Sequence, residues 1–196
     1  MSTERFNYSD NTITSIAVDS TNKRVWLAHQ QNSDGVCVLR CVGLFDPSVE
    51  YFTCDIEVSA IVKVIIVGNW VYLIVEDATD FLYLLYVTSP NSYRYVVSIP
   101  AGETEYPIDI IADNNYCYVL VPGSASGQNA KIYKYDLTTG TYVETIDLSV
   151  SGDSVTNAVS MTFYDPDIWI LTSEYDSYLV RVYNDGVWNY EKTLIE

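Results

Sequence analysis

Hydrophobic residues come along this chain in short unbroken runs, each fenced by turn-forming residues. Examples are Val25-Trp26-Leu27-Ala28 after Ser20-Thr21-Asn22-Lys23, and Val64-Ile65-Ile66-Val67 followed, across Gly68-Asn69, by Trp70-Val71-Tyr72-Leu73-Ile74-Val75. Tyr116-Cys117-Tyr118-Val119-Leu120-Val121 follows Asp113-Asn114-Asn115, and Ile168-Trp169-Ile170-Leu171 follows Tyr164-Asp165-Pro166-Asp167. Runs this short, rich in β-branched and aromatic residues, read as strands. Other segments alternate instead: in Tyr142-Val143-Glu144-Thr145-Ile146-Asp147 apolar and polar residues take turns, as in a half-exposed edge strand. No segment sustains an apolar stripe with a 3.6-residue period, so almost no helix is expected.

The runs recur. Their central aromatics are Trp26, Tyr72, Tyr118 and Trp169, spaced by 46, 46 and 51 residues, and a second strand set at 37–42, 82–87, 131–136 and 179–184 follows at offsets of 45, 49 and 48. A strand-built period of roughly 40–50 residues is the mark of a propeller blade. The predicted strands are 13–19, 24–29, 36–42 and 49–54; then 61–67, 70–75, 81–87 and 93–98; then 107–112, 116–121, 130–136 and 142–148; and finally 157–163, 168–172, 178–184 and 187–194. The fold class is therefore all-β, a β-propeller with four blades of four antiparallel strands. It is either closed on itself or an open arc completed by another chain. One propeller domain is expected, with a lead-in at 1–12 and blades at 13–56, 57–104, 105–152 and 153–196. The first two strands of each blade are almost continuously apolar, which predicts cover on both faces. Trp26, Tyr72, Tyr118 and Trp169 are expected to pack blade on blade.

The third repeat carries the clearest wording: Tyr106-Pro107-Ile108-Asp109-Ile110-Ile111-Ala112-Asp113, Tyr118-Val119, and Lys131-Ile132-Tyr133-Lys134-Tyr135-Asp136-Leu137 with Gly140 and Val143. This resembles a blade of the NHL/YVTN-type propellers. More loosely, Ile16-Ala17-Val18-Asp19 with Val25-Trp26-Leu27-Ala28, and Val64-Ile65-Ile66-Val67 with Val71-Tyr72-Leu73-Ile74-Val75-Glu76, resemble blades of the propeller in bacteriophage tail nozzle (tail tubular) proteins. That second resemblance implies a virion structural role without catalysis.

Charge narrows the partners. The 26 acidic against 10 basic side chains give a net charge of −16. Nucleic-acid binding depends on Lys and Arg displacing counterions, so no nucleic-acid partner is expected. The N-terminus, Met1-Ser2-Thr3-Glu4-Arg5-Phe6-Asn7-Tyr8, shows no apolar stretch or small-residue cleavage site, and no signal peptide is read there. The most hydrophobic stretch, 60–75, is too short to span a bilayer and contains Lys63 and a Gly68-Asn69 break. A soluble protein, cytoplasmic or virion-associated, is expected.

Chemistry is sparse. Cys37, Cys41, Cys54 and Cys117 lack the C-x-x-C spacing of zinc or redox sites. Cys37 and Cys41 lie on one face of one strand about 13 Å apart, too far to bond. Register decides whether Cys54, on the following strand, sits opposite Cys37 or Cys41; buried free thiols are expected, with a structural disulfide as the alternative. His29, the single histidine, is expected at a partly exposed strand end. Gly123-Ser124-Ala125-Ser126-Gly127 has Ala where the G-x-S-x-G elbow needs Ser. Loop carboxylates at Glu76, Asp77, Asp80, Asp165, Asp167, Glu174 and Asp176 match no calcium loop, so neither a metal nor another cofactor is expected. Aromatic rings at Trp70, Tyr164, Tyr175 and Trp188 are candidate contacts for a protein partner or a glycan. The leading expectation is a non-enzymatic scaffold or interaction module, within a phage particle, whose partners are other protein chains or further copies of itself. A lectin-like propeller, and a hydrolase or lyase using loop carboxylates, are the alternatives.

Overall fold

The computed structural model describes residues 11–31, 36–68, 70–76, 82–86, 93–97, 105–123, 127–149, 155, 157–164, 167–174, 177–184 and 187–190. Among them there are sixteen strands and no helix. The chain divides into two compact units, Met1–Ser98 and Ile99–Glu196. Unit 1 holds sheet 1, of β1 (Asn11–Asp19), β2 (Arg24–Gln31), β3 (Cys37–Gly43) and β4 (Glu50–Ile56), and sheet 2, of β5 (Ala60–Val67), β6 (Trp70–Glu76), β7 (Leu82–Tyr86) and β8 (Tyr93–Val97). Unit 2 holds sheet 3, of β9 (Asp109–Ala112), β10 (Tyr116–Val121), β11 (Lys131–Asp136) and β12 (Tyr142–Asp147), and sheet 4, of β13 (Ala158–Tyr164), β14 (Asp167–Glu174), β15 (Ser177–Asn184) and β16 (Val187–Tyr190). Each sheet is a meander in chain order with every pairing antiparallel. All sixteen predicted strands overlap an observed one.

Within unit 1, one face of sheet 1 packs on one face of sheet 2. Trp26, Ala28, Cys37, Leu39, Cys41 and Ile56 meet Ile61, Val64, Val71, Leu73 and Val75, with Ala17, Phe52, Cys54 and Ile66 around them. Unit 2 repeats the arrangement: Tyr118, Leu120, Ile132 and Ile146 meet Met161, Ile168 and Ile170, with Ile111 and Phe163 beside them. Because successive side chains point to opposite faces, each strand gives alternate residues to its core. Fully burying one such aliphatic side chain stabilises by about 1.5–3 kcal/mol.

The gradient across a sheet follows the predicted one except at the first strand. The second strands are buried almost end to end, as Val71–Val75 and Cys117–Val121 show. The fourth strands β4 and β12 expose most of their residues. On β1, however, Ile16 and Val18 are more than half exposed, and on β13 Val159 and Tyr164 are exposed. Continuous apolar sequence there reflects one packed face and one open face, not cover on both.

Carboxylates shape the turns. Asp19 Oδ1 accepts the Asn22 N–H at 2.8 Å and its Oδ2 accepts from Asn22 Nδ2 at 2.7 Å. At the matching place in sheet 3, Asp113 Oδ1 accepts the N–H groups of Asn115 and Tyr116, both at 2.7 Å. Asp136 does likewise for Thr138 and Thr139 ahead of Gly140, whose φ of 70° is the left-handed conformation that glycine adopts without strain. At the end of β3, Gly43 lies so close to the turn that follows that a Cβ would meet the Asp46 carbonyl oxygen at 2.5 Å.

Candidate functional site

Strand register places four residues at one repeated position. Ser15 pairs with Ala28, Lys63 with Ile74, Asp109 with Leu120 and Ser160 with Leu171, and each partner lies two residues beyond the central aromatic. β1, β5 and β13 each carry a bulge here, one extra residue that shifts the register just before this position. Ser15, Asp109 and Ser160 tie neighbouring sheets together. Ser15 Oγ accepts the Val64 N–H at 3.0 Å, from sheet 2. Asp109 Oδ2 accepts the Met161 N–H at 2.8 Å and the Ser160 hydroxyl at 2.7 Å, while its Oδ1 accepts the Ile110 N–H at 2.8 Å. Asp109 is 2 % exposed. A buried carboxylate with this many donors is compensated by hydrogen bonds and holds two sheets in register. Composition does not single out these residues; the signal is a polar residue four to five positions before the turn that joins the first two strands of each sheet, inside an apolar strand.

The central aromatics differ in environment. Trp26 and Tyr72 are fully buried and Tyr118 is 8 % exposed, its hydroxyl donating to Asp113 Oδ2 at 3.2 Å. Burial, then the Asp113 charge, raises the Tyr118 pKa. Trp169 is half-buried, on the face of sheet 4 opposite the unit 2 core. There Ser160, Met161, Thr162, Trp169, Ile170 and Leu171 line an open cavity of about 230 Å³. Tyr164 stands beside it, exposed, its ring edge-on to Trp169 with centroids 6.1 Å apart. Of the predicted contact residues, Tyr164 is thus joined by Trp169. Trp70 is half-buried at the start of β6, and Trp188 lies in β16 opposite Tyr183. Tyr175 lies outside the described residues.

The cysteines are free thiols, with Cys37, Cys41 and Cys117 buried. Cys54 pairs with Leu39, so it sits diagonal to Cys37 and Cys41 rather than opposite either. Burial pushes the Cys41 thiol up to about 11 and Cys117 to about 12, and also raises Cys37. Such thiols carry almost no thiolate near neutral pH and are poor nucleophiles.

His29 corrects the sequence expectation: it is 2 % exposed. β2 runs on to Gln31, and His29 is flanked by Ile13 on β1 and Val38 on β3, well inside the sheet. Burial first, and the Arg40 charge second, lower its pKa. Among the described residues no three His, Cys, Asp or Glu side chains gather to hold a metal ion. Of the loop acids, Asp77, Asp80, Asp165 and Asp176 lie outside the described residues, as do Ser124, Ala125 and Ser126 of the Gly/Ser loop. No helix among the described residues is long and apolar enough to cross a membrane.

No protein-family model matches the chain, and no curated protein does. Solved structures do. The subtype N11 neuraminidase-like protein of A/flat-faced bat/Peru/033/2010 (H18N11) superposes with a TM-score of 0.59 at 10 % identity, covering 92 % of this chain and 51 % of that one. The Dos1 propeller gives 0.59 at 10 % identity over 81 % of this chain and 39 % of that one. A nidogen/laminin complex gives 0.51 at 11 % identity over 89 % and 76 %. At such identities the likeness is one of fold: the chain is an all-β propeller of four-stranded antiparallel blades, spanning about half or less of the first two structures. The narrower NHL/YVTN and tail-nozzle resemblances rest on the sequence motifs alone.

Proposed function

We propose that this protein is a non-enzymatic β-propeller scaffold that works by binding other protein chains, as a structural component of a bacteriophage particle. The observation that carries the interaction reading is the outward face of sheet 4. Tyr164, Thr162, Trp169 and Leu171 form an apolar and aromatic surface around an open cavity, where a core-type packing surface meets water. Aromatic side chains set in such a surface are the usual anchors of protein interfaces. High thiol pKa values and the burial of the single histidine support the non-enzymatic part. The virion setting follows from the resemblance of repeats one and two to tail-nozzle blades.

Co-expression with the products of adjacent genes, followed by cross-linking and mass spectrometry, tests the reading. Cross-links from the Tyr164 face to a capsid or tail protein are expected. Their absence, together with glycan-array binding that Trp188→Ala abolishes, would replace it with the lectin-like alternative.

A further inference from the structure

Each unit makes one sheet-on-sheet contact, and the two are built on equivalent positions. In unit 1, Ala17, Trp26 and Ala28 lie against Val64, Ile66, Val71 and Leu73. In unit 2, Ile111, Tyr118 and Leu120 lie against Met161, Phe163, Ile168 and Ile170. Counting from the central aromatic, the registers superimpose the first set on the third and the second on the fourth. Each contact also has its polar link at the innermost strands, Ser15 to the Val64 amide and Asp109 to the Met161 amide.

Two further faces carry these same positions. On sheet 4, Thr162, Trp169 and Leu171 stand where Ala17, Trp26 and Ala28 stand on sheet 1, with Ser160 in the place of Ser15. These four residues line the open cavity. On sheet 1, Ile16, Val18, Val25 and Leu27 stand where Val64, Ile66, Val71 and Leu73 stand on sheet 2. Ile16 is 55 % and Val18 56 % exposed. By the same register, the Ile16 amide points away from β2 to the free edge of the sheet, as the bonded amides of Val64 and Met161 do.

We propose that the outward face of sheet 4 docks on the outward face of sheet 1 of a second copy of this chain, head to tail. The contact repeats the one already made once in each unit. Ile16 and Val18 of the second copy enter the cavity between Thr162, Trp169 and Leu171. Ser160 Oγ, whose own proton goes to Asp109, accepts the N–H of Ile16 from the second copy. The occupant is a second copy because the chain itself displays the required counterpart: four apolar residues at strand spacing beside an outward amide. Since the two faces differ, the contact is heterologous, and every copy offers one face of each kind. This proposal rests on the interaction reading above and names its partner.

Sedimentation and light scattering on the full chain, over a concentration series, test it. The unmodified chain is expected at two or more multiples of 22.1 kDa. Val18→Glu and Thr162→Glu, both at exposed positions that leave each core intact, are each expected to raise the dissociation constant at least about tenfold, with unchanged far-UV circular dichroism. Mixed together, the two variants are expected to associate again, because one retains a sound sheet 4 face and the other a sound sheet 1 face. A single-copy mass for the unmodified chain up to about 1 mM would overturn the proposal. So would variants without effect, or a mixture that fails to recover association. If the chain stays single while cross-links to an adjacent gene product persist, this proposal falls and the interaction reading stands. If those cross-links are missing as well, both fall.

Discussion

At the scale of single residues, the molecule relies on polar groups buried inside apolar strands. Asp109 serves three donors in the interior of unit 2, two of them from sheet 4. Asp109→Ala leaves the Met161 amide, the Ser160 hydroxyl and the Ile110 amide without their carboxyl acceptor, and each buried donor left unsatisfied costs about 1–3 kcal/mol. A loss of about 3 kcal/mol in urea unfolding is expected, and less for Asp109→Ser, which keeps one acceptor; a loss within 0.5 kcal/mol would remove the carboxylate from this role. His29 gives a pH signature. Its folded-state pKa lies below the ordinary value, so the unfolded chain binds the extra proton first as pH falls. Stability attributable to this group is therefore complete above about pH 6.5 and declines below it, by at most about 1.4 kcal/mol per pH unit. Urea midpoints at pH 7.5 and 5 should diverge between the native chain and His29→Gln, the native chain losing more; parallel curves would exclude the effect.

At the scale of strands and sheets, most of the architecture was legible in the sequence because turn residues and apolar runs alternate with a fixed period. Asp113-Asn114-Asn115 and Gly68 fall between strands as read, and the central aromatics mark the second strand of every sheet. What stayed hidden was three-dimensional. His29 looked like a strand end because the polar Gln30 and Gln31 follow it, yet pairing on both sides carries β2 past it. The inter-sheet links of Ser15 and Asp109 need a register and a neighbouring edge amide, neither of which composition contains. The apolar sequence of β1 likewise cannot say that only one of its faces is packed. Equivalent tryptophans make this measurable. Trp26 is fully buried against Phe52, with centroids 5.8 Å apart, whereas Trp169 is half-buried at an open cavity. Trp26→Ala should cost about 3–5 kcal/mol as a buried large-to-small change. Trp169→Ala, measured in the Val18→Glu background at protein concentrations where that variant is a single copy, should cost about half as much or less. Equal losses would mean that the sheet 4 face is packed in the single chain.

At the scale of the whole molecule, the charge decides which partner class dominates, and its sign can be read from salt. A net charge of −16 on every copy means that two copies repel one another at long range while their apolar faces attract on contact. Raising ionic strength from 0.01 M to 0.15 M shortens the screening length from about 30 Å to about 8 Å. Repulsion between copies then fades, while the contact at Ile16, Val18, Trp169 and Leu171, made of uncharged groups, is little affected. Self-association should therefore tighten with added salt, most steeply over that range. A basic protein partner would show the opposite slope, because its attraction to the acidic surface is screened by the same ions. Sedimentation at fixed protein concentration across a salt series separates the two: weight-average mass rising with salt supports contact between copies through their sheet faces, and mass falling with salt assigns association to charged surface elsewhere.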